Sequence, residues 1–215
     1  MTAPVTLHGY RFSVYHRIAR LALEEKGVPY GTEEVDPFAP DLPGSWRRMH
    51  PLGRVPVFVH GDFTIYETAA IARYVDATFA GPSLVPDGAR AAARMAQVVG
   101  IADAYAYRPL VRQVYAHRVF RPAMGEPAAS AEIDAGLRAA PTVLGALEAI
   151  AVGGLVLDGR GVTLADCHLA PMIACFVAAP EGSQLLSDFA ALSAWWSVMS
   201  ERDAFEATSP GPMRR

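Results

Sequence analysis

Two short apolar runs, Val55–Val59 and Phe63–Tyr66, stand on either side of His60-Gly61-Asp62. Runs of this length around a Gly-Asp turn predict a β-hairpin. Pro56 cannot donate to a sheet ladder, so it marks a strand start or an edge. The second run leads straight into Glu67-Thr68-Ala69-Ala70-Ile71, which predicts a helix from Glu67 to Phe79. A polar pair at a helix N-terminus beside a proline-led strand can hold a small peptide-like anion.

Upstream, Val5–His8 predicts a first strand and Gly9–Ser13 a connection. Val14, Ile18, Leu21 and Ala22 recur at helical spacing, so a helix runs from Val14 to Lys26 and Gly27 stops it. Pro29–Val35 alternates weakly, as a second strand does. Residues 36–53 are rich in Pro and Gly, with one amphipathic turn at Ser45–Met49. The predicted order is strand-helix-strand-helix-strand-strand-helix. A βαβ unit followed by ββα gives a mixed sheet with helices packed on it, the thioredoxin-like arrangement of an α/β domain.

Ala80–Gly88 holds two prolines and two glycines, which oppose any regular element. It divides a domain at 1–80, a linker at 81–88 and an all-α domain at 89–215. The helices predicted there are Ala89–His117 with a kink at Pro109, Ser130–Ile150 interrupted at Pro141, Thr163–Ala178 and Asp188–Arg202. Leu155–Leu157 is a brief apolar connection. Thr163-Leu164-Ala165-Asp166 has the spacing of a capping box, with the Thr163 hydroxyl and the Asp166 carboxylate each accepting a backbone N–H. Val162 and Cys167 flank it at staple positions. Trp195 and Trp196 read as core and surface residues of the last helix.

Apolar residues make up 52 % and charged residues 19 % of the 215, enough for a sizeable core and against disorder. Net charge is −3, which gives no support for nucleic-acid or anionic-membrane partners. Cys167 and Cys175 are too few for a disulfide framework or a zinc site, and no metal is expected. Met1–His8 carries no basic region followed by an apolar run, and no apolar stretch of about 18 residues occurs elsewhere. Those features predict a soluble, cytoplasmic protein.

Val55-Pro56 with Glu67-Thr68, in an α/β domain followed by a helical one, resembles the cytosolic glutathione S-transferase superfamily over nearly the whole chain. Further detail resembles its bacterial serine-type members (phi-, tau- or zeta-like): Ser13 precedes Arg17-Ile18 and Glu25-Lys26-Gly27. The resemblance implies a cis Val55–Pro56 bond that turns the N–H and C=O of Val55 toward glutathione. It implies that Glu67 and Thr68 grip the γ-glutamyl end. Arg54 then either faces the glycine carboxylate or is a solvated loop residue, and His50 is either a polar rim residue or a histidine before a Pro-Leu-Gly turn with no function of its own. Glutathione is the implied co-substrate, a small electrophile the second substrate, and a homodimer the implied assembly.

Glutathione chemistry starts at a thiol whose free pKa is about 8.5. A hydroxyl donating to the sulfur at a helix N-terminus favours the thiolate. Ser13, just before the first helix, and Tyr10, nearer the strand, compete for that role. Ser13 also has the position of a plain N-cap. Two departures stand out: Val14 where many serine-type members carry Pro, and Tyr15 where zeta-type members carry Cys. The first domain has no cysteine, which argues against omega- or glutaredoxin-type thiol chemistry. Tyr10, Tyr105, Arg108 and Arg112, with Tyr107, Tyr115 and His117 nearby, offer rings and charge to a planar or anionic electrophile. The same second-domain residues equally suit interdomain packing. The implied function is thiol conjugation. The alternatives are a zeta-like glutathione-dependent isomerase and a non-catalytic protein of this fold that acts by binding partners.

Overall fold

The computed structural model describes residues 3–213; residues 1–2 and 214–215, the outer ends of the two predicted domains, lie outside the described residues. Strand β1 (Val5–Gly9) buries Val5, Leu7 and Gly9 and leaves Thr6 and His8 half-buried, the period of two expected of a strand. It pairs parallel with β2 (Gly31–Glu34) and antiparallel with β3 (Val57–His60), and β3 pairs antiparallel with β4 (Phe63–Tyr66). The sheet order is β2-β1-β3-β4. Parallel neighbours require a crossover, and helix α1 (Val14–Glu25) supplies it. Gly61-Asp62 closes the β3–β4 hairpin, with Gly61 at φ +61° as a tight turn demands. The Val55–Pro56 bond is cis. β3 starts only at Val57, because Pro56 has no N–H to give the ladder.

α1 and α3 (Thr68–Thr78) pack on the sheet around Leu7, Ala19, Leu23, Phe58, Ile71 and Val75. α2 (Trp46–Met49) is the one helical turn within 36–53, anchored by buried Trp46. Gly27, at φ +65°, takes the left-handed conformation that ends α1. Lys26, the one lysine of the chain, is buried. Its Nζ donates to the Asp76 carboxylate (3.3 Å), the Asp76 carbonyl (3.2 Å) and the Pro82 carbonyl (3.0 Å). The same carboxylate oxygen accepts the Leu84 N–H (2.7 Å). A buried ion pair tolerates its desolvation only with such full hydrogen bonding, and this one ties the segment after α3 to α1.

Contacts divide the described residues into one unit ending at Leu84, which also holds Ala207–Pro210, and a second covering Val85–Glu206 and continuing from Gly211 to Met213. Arg20 holds Ala207–Pro210 in the first unit, through the carbonyls of Ala207 (2.8 Å) and Thr208 (3.3 Å), and Arg17 donates to the buried Thr208 hydroxyl (3.3 Å).

The second unit contains α4 (Ala89–Ile101), a π-wound helix (Ala102–Phe120), α5 (Arg121–Ala123), α6 (Ser130–Val152), α7 (Leu164–Val177), α8 (Pro180–Leu186), α9 (Ala190–Ser200) and, except for its last residue, α10 (Asp203–Ala207). Among its described residues there is no strand. The helix predicted over Ala89–His117 with a kink at Pro109 instead runs to Phe120, and from Ala102 it widens to π winding around Pro109. A proline removes one N–H and crowds the carbonyl four residues back, and a wider turn carries the chain past it. Pro141 does not interrupt α6. It stands on the exposed face, while Ile133, Ala140, Leu144, Leu147 and Ile150 hold the opposite face in the core. The approach is close: a Cβ on Gly136 would lie 2.7 Å from the Pro109 carbonyl. α8, with Pro180 in its first turn, and α10 were not predicted, and the helix expected over Asp188–Arg202 is shorter at both ends.

α6 also corrects the expectation that no apolar stretch of membrane-spanning length occurs. It has 23 residues and an 18-residue window of mean hydropathy 1.3. Its buried residues fall at three- and four-residue spacing, the stripe of a helix packed in a protein core. Glu148 on the same helix accepts the Ala191 (2.8 Å) and Leu192 (2.9 Å) N–H groups at the start of α9.

α7 opens on the predicted capping box. The Asp166 carboxylate accepts the Thr163 N–H (2.7 Å) and O–H (2.6 Å), and the Thr163 hydroxyl accepts the Ala165 N–H (3.2 Å). The second oxygen of the Asp166 carboxylate accepts the indole N–H of buried Trp195 (2.7 Å), a partner the local pattern did not announce. Trp196 is half-buried.

Buried histidines make the fold acid-sensitive, His16 and His168 most strongly. Burial lowers His16 to about 4, helped by Arg20, and burial lowers His168 to about 4 against the carbonyl of Leu164 at its Nδ1 (2.9 Å). Each has a folded pKa below its unfolded value near 6.5. The unfolded chain therefore binds the extra proton, and stability is present above about pH 6.5 and lost as pH falls toward 4. At about 1.4 kcal/mol per unit, each histidine accounts for roughly 3 kcal/mol over that window. Burial holds the Asp166 carboxyl above its ordinary range despite its Thr163 and Trp195 hydrogen bonds, and its protonation on the same descent works in the opposite direction. His168→Leu should therefore flatten the fall in Tm between pH 7 and 4; a profile parallel to the unsubstituted protein removes His168 from this account.

Candidate functional site

The site is built where three segments leave the sheet at one end. His8 pairs with Val57, and Val57 pairs with Tyr66. Neighbouring strands are about 4.8 Å apart. The residues just beyond these positions, Gly9 to Ser13, Val55-Pro56 and Glu67-Thr68, therefore emerge side by side.

The first segment is a turn. Ser13 N–H donates to the Tyr10 carbonyl (2.8 Å), and Arg11 N–H to the Glu34 carboxylate on β2 (3.1 Å). Ser13 has extended φ/ψ of −75° and 122°, and its Oγ accepts the His16 N–H (3.3 Å), which makes it the N-cap of α1. That bond uses a lone pair and leaves the hydroxyl proton available to another acceptor. No acidic residue in the first turn of α1 offsets the positive end of its dipole. His16 packs directly on Gly9, where any Cβ would lie 1.7 Å from its Nδ1.

The second segment carries Arg54, exposed, Val55, half-buried, and Pro56, buried. The Trp46 indole donates to the Arg54 carbonyl (3.2 Å) and fixes this loop to α2. The third carries Glu67, exposed, and Thr68, buried at the first position of α3. Glu67 has φ +72° and ψ 113°, a conformation few non-glycine residues adopt. Such strain persists where surrounding structure enforces it, often at binding sites. His50, predicted as a rim residue, is instead buried against Tyr66.

An aromatic group lies beside Ser13. Tyr10 meets Phe12 edge-on (5.5 Å) and Phe38 edge-on (6.4 Å), and the Arg11 guanidinium lies 4.6 Å over the Phe12 ring. Phe38 is 64 % exposed, a large ring offered to solvent. Phe12 and Phe38 were missed in the sequence. Phe12 could have been found from its place next to Ser13, whereas nothing local marks Phe38. In the second unit, Tyr105, Arg108 and Arg112 are all exposed on the π-wound helix, and Tyr107 and Tyr115 are half-buried. Among the described residues, no group of three or more His, Cys, Asp or Glu side chains is placed to hold a metal ion.

Residues 7–83 match the family described as glutathione S-transferase, N-terminal domain, and residues 111–203 match its C-terminal domain. Glutathione S-transferase F10 of Arabidopsis thaliana is 31 % identical over 198 residues, covering 89 % of this chain and 90 % of that protein. Among solved structures, glutathione S-transferase III in its apo form superposes with a TM-score of 0.84 at 27 % identity, over 96 % of this chain and 95 % of the other. Glutathione S-transferase I from mais, in complex with an atrazine glutathione conjugate, has the same fold with a TM-score of 0.83 at 24 % identity, over 96 % of this chain and 97 % of the other.

Proposed function

Because the chain belongs to the glutathione S-transferase family, we propose that it joins the thiol of glutathione to a small electrophile. The carrying observation is the strand register that brings the Ser13 turn, the cis Val55–Pro56 loop and Glu67-Thr68 to one end of the sheet. In this reading the main chain of Val55 pairs with the tripeptide backbone. Thr68, through its hydroxyl and the N–H groups of the α3 N-terminus, takes the γ-glutamyl carboxylate. Glu67 takes the amine, and Arg54 takes the glycine carboxylate, which a guanidinium can bind in bidentate fashion. Ser13 donates to the sulfur. Tyr10, with Phe12 and Phe38, forms the platform for an aromatic electrophile.

The reading extends to a cytoplasmic homodimer with a role in detoxification, built as a glutathione-binding domain at 1–80, a linker at 81–88 and a helical domain at 89–215. Sedimentation at micromolar concentration tests the dimer, and a monomer mass removes it. The test of function is retention on immobilised glutathione followed by conjugation of a generic aryl halide. Thr68→Ala should weaken glutathione binding by roughly 1–2 kcal/mol, as expected for a hydrogen bond to a charged group. Unchanged affinity by calorimetry takes Thr68 out of the site. Retention without turnover favours the partner-binding alternative.

A further inference from the structure

The β3–β4 ladder ends at the Val57–Tyr66 pair, short of both arms of the grip. Arg54 to Pro56 and Glu67-Thr68 lie beyond it. One buried side chain connects them. His50 is 2 % exposed. Its N–H donates to the Trp46 carbonyl (2.8 Å) and its carbonyl accepts the Gly53 N–H (2.8 Å), so its backbone joins α2 to the turn that delivers Arg54 and Val55. Its ring lies against Tyr66, with centroids 4.6 Å apart and planes at 32°. Glu67 follows Tyr66 directly and holds its unfavourable φ of +72°.

The ring acts by packing. Its Nδ1 is buried with no hydrogen-bond partner. Burial, with Arg54 acting in the same direction and Glu67 against it, keeps the imidazole below its ordinary pKa.

We propose that His50 is a positioning residue: its ring, wedged against Tyr66, sets the spacing between the Val55–Pro56 arm and the Glu67–Thr68 arm of the glutathione grip. The inference rests on the glutathione-binding reading above. It locates part of the affinity in a side chain that touches no substrate. Ser13 stands on a separate segment held by Glu34 and by α1, so thiol activation does not pass through His50.

The test compares His50→Ala, His50→Phe, His50→Gln and Tyr66→Leu in the full chain, reading KM for glutathione, kcat at saturation and the pH profile of the bound thiol. His50→Ala should raise KM about tenfold with kcat within about twofold, since lost positioning of a ground-state grip removes uniform binding. The thiol pKa should not move. His50→Phe, which keeps a ring and lacks nitrogens, should restore most of the affinity, and His50→Gln should not. Tyr66→Leu should reproduce the His50→Ala result from the other side of the contact, and it carries the test if His50→Ala does not fold. A merely destabilised protein would lose apparent kcat through its folded fraction and keep KM. Unchanged KM in both His50→Ala and Tyr66→Leu overturns the proposal. So does rescue by Gln and not by Phe, which would make the imidazole a polar ligand. If Thr68→Ala weakens binding while these variants do not, only this inference fails. If the unsubstituted protein binds no glutathione, the functional reading itself fails.

Discussion

Ser13→Ala should cut the conjugation rate at neutral pH by about tenfold or more, with the pKa of the bound thiol rising by about one unit or more toward its free value near 8.5. The reason lies in what one hydroxyl can do at this position. Its oxygen already accepts the His16 N–H and caps α1. The capping bond fixes the oxygen in place, and the proton is left to donate to the sulfur. Capping and thiol activation are thus compatible uses of the same group. They separate experimentally. Alanine loses both, and the lost cap alone costs about 1 kcal/mol of stability. Glycine at an N-cap costs only a few tenths of a kcal/mol relative to serine, so Ser13→Gly should keep nearly all the stability and show the same catalytic loss. Glutathione affinity should change little, because Val55, Glu67 and Thr68 are untouched. Tyr10→Phe should be mild: Tyr10 packs edge-on with Phe12 and Phe38. If Tyr10→Phe abolishes thiolate formation and Ser13→Ala leaves it intact, the two residues exchange roles.

Asp166→Ala should be among the most destabilising single changes outside the site, at about 3 kcal/mol or more. A lost cap contributes about 1 kcal/mol. The larger part comes from Trp195, 2 % exposed, whose indole N–H would lose its acceptor in the core, and an orphaned buried donor costs about 1–3 kcal/mol. The Thr163 hydroxyl and N–H lose their acceptor as well. In a chain of this size each kcal/mol moves Tm by about 2–4 °C, so thermal melting reads the change directly. Asp166→Asn retains one carbonyl oxygen for Trp195 and avoids burying a charge, and should cost clearly less. A double-mutant cycle with Trp195→Phe should show coupling of about 1 kcal/mol or more. A loss near 1 kcal/mol for Asp166→Ala, with no coupling to Trp195, would mean that Asp166 is only a local cap.

Asp166 marks the boundary between what is local and what is not. Its capping box was legible because a cap is made by residues three apart in one chain segment. The same holds for the αL stop at Gly27, the Gly61-Asp62 turn, the succession of strands and helices along the first domain and the Val-Pro pair ahead of β3. Each is decided by period, turn chemistry or a neighbour along the chain. The three segments that converge at one end of the sheet were legible to the same depth. Ser13, Val55-Pro56 and Glu67-Thr68 announce themselves as a helix start, a strand start and a second helix start, and strand register then brings them to one end of the sheet.

What the tertiary structure decided involves partners distant in sequence or groups with no local mark. Trp195 reaches Asp166 across 29 residues, and Thr208 meets Arg17 across 191. Phe38 joins the aromatic group beside Ser13 from an irregular loop with no period to read. His50 reads as a rim residue until the ring of Tyr66 is seen to cover it. The π winding around Pro109 and the continuity of α6 through Pro141 depend on packing against neighbouring helices, which outweighs a local preference of a few kcal/mol at a proline. The amino-acid sequence by itself determined most of the elements, the Ser13 and Thr163 caps, and the segments that meet at one end of the sheet. Only the folded chain decided which groups are buried and which partners they meet, because burial and partnership belong to the whole structure and not to any stretch of it.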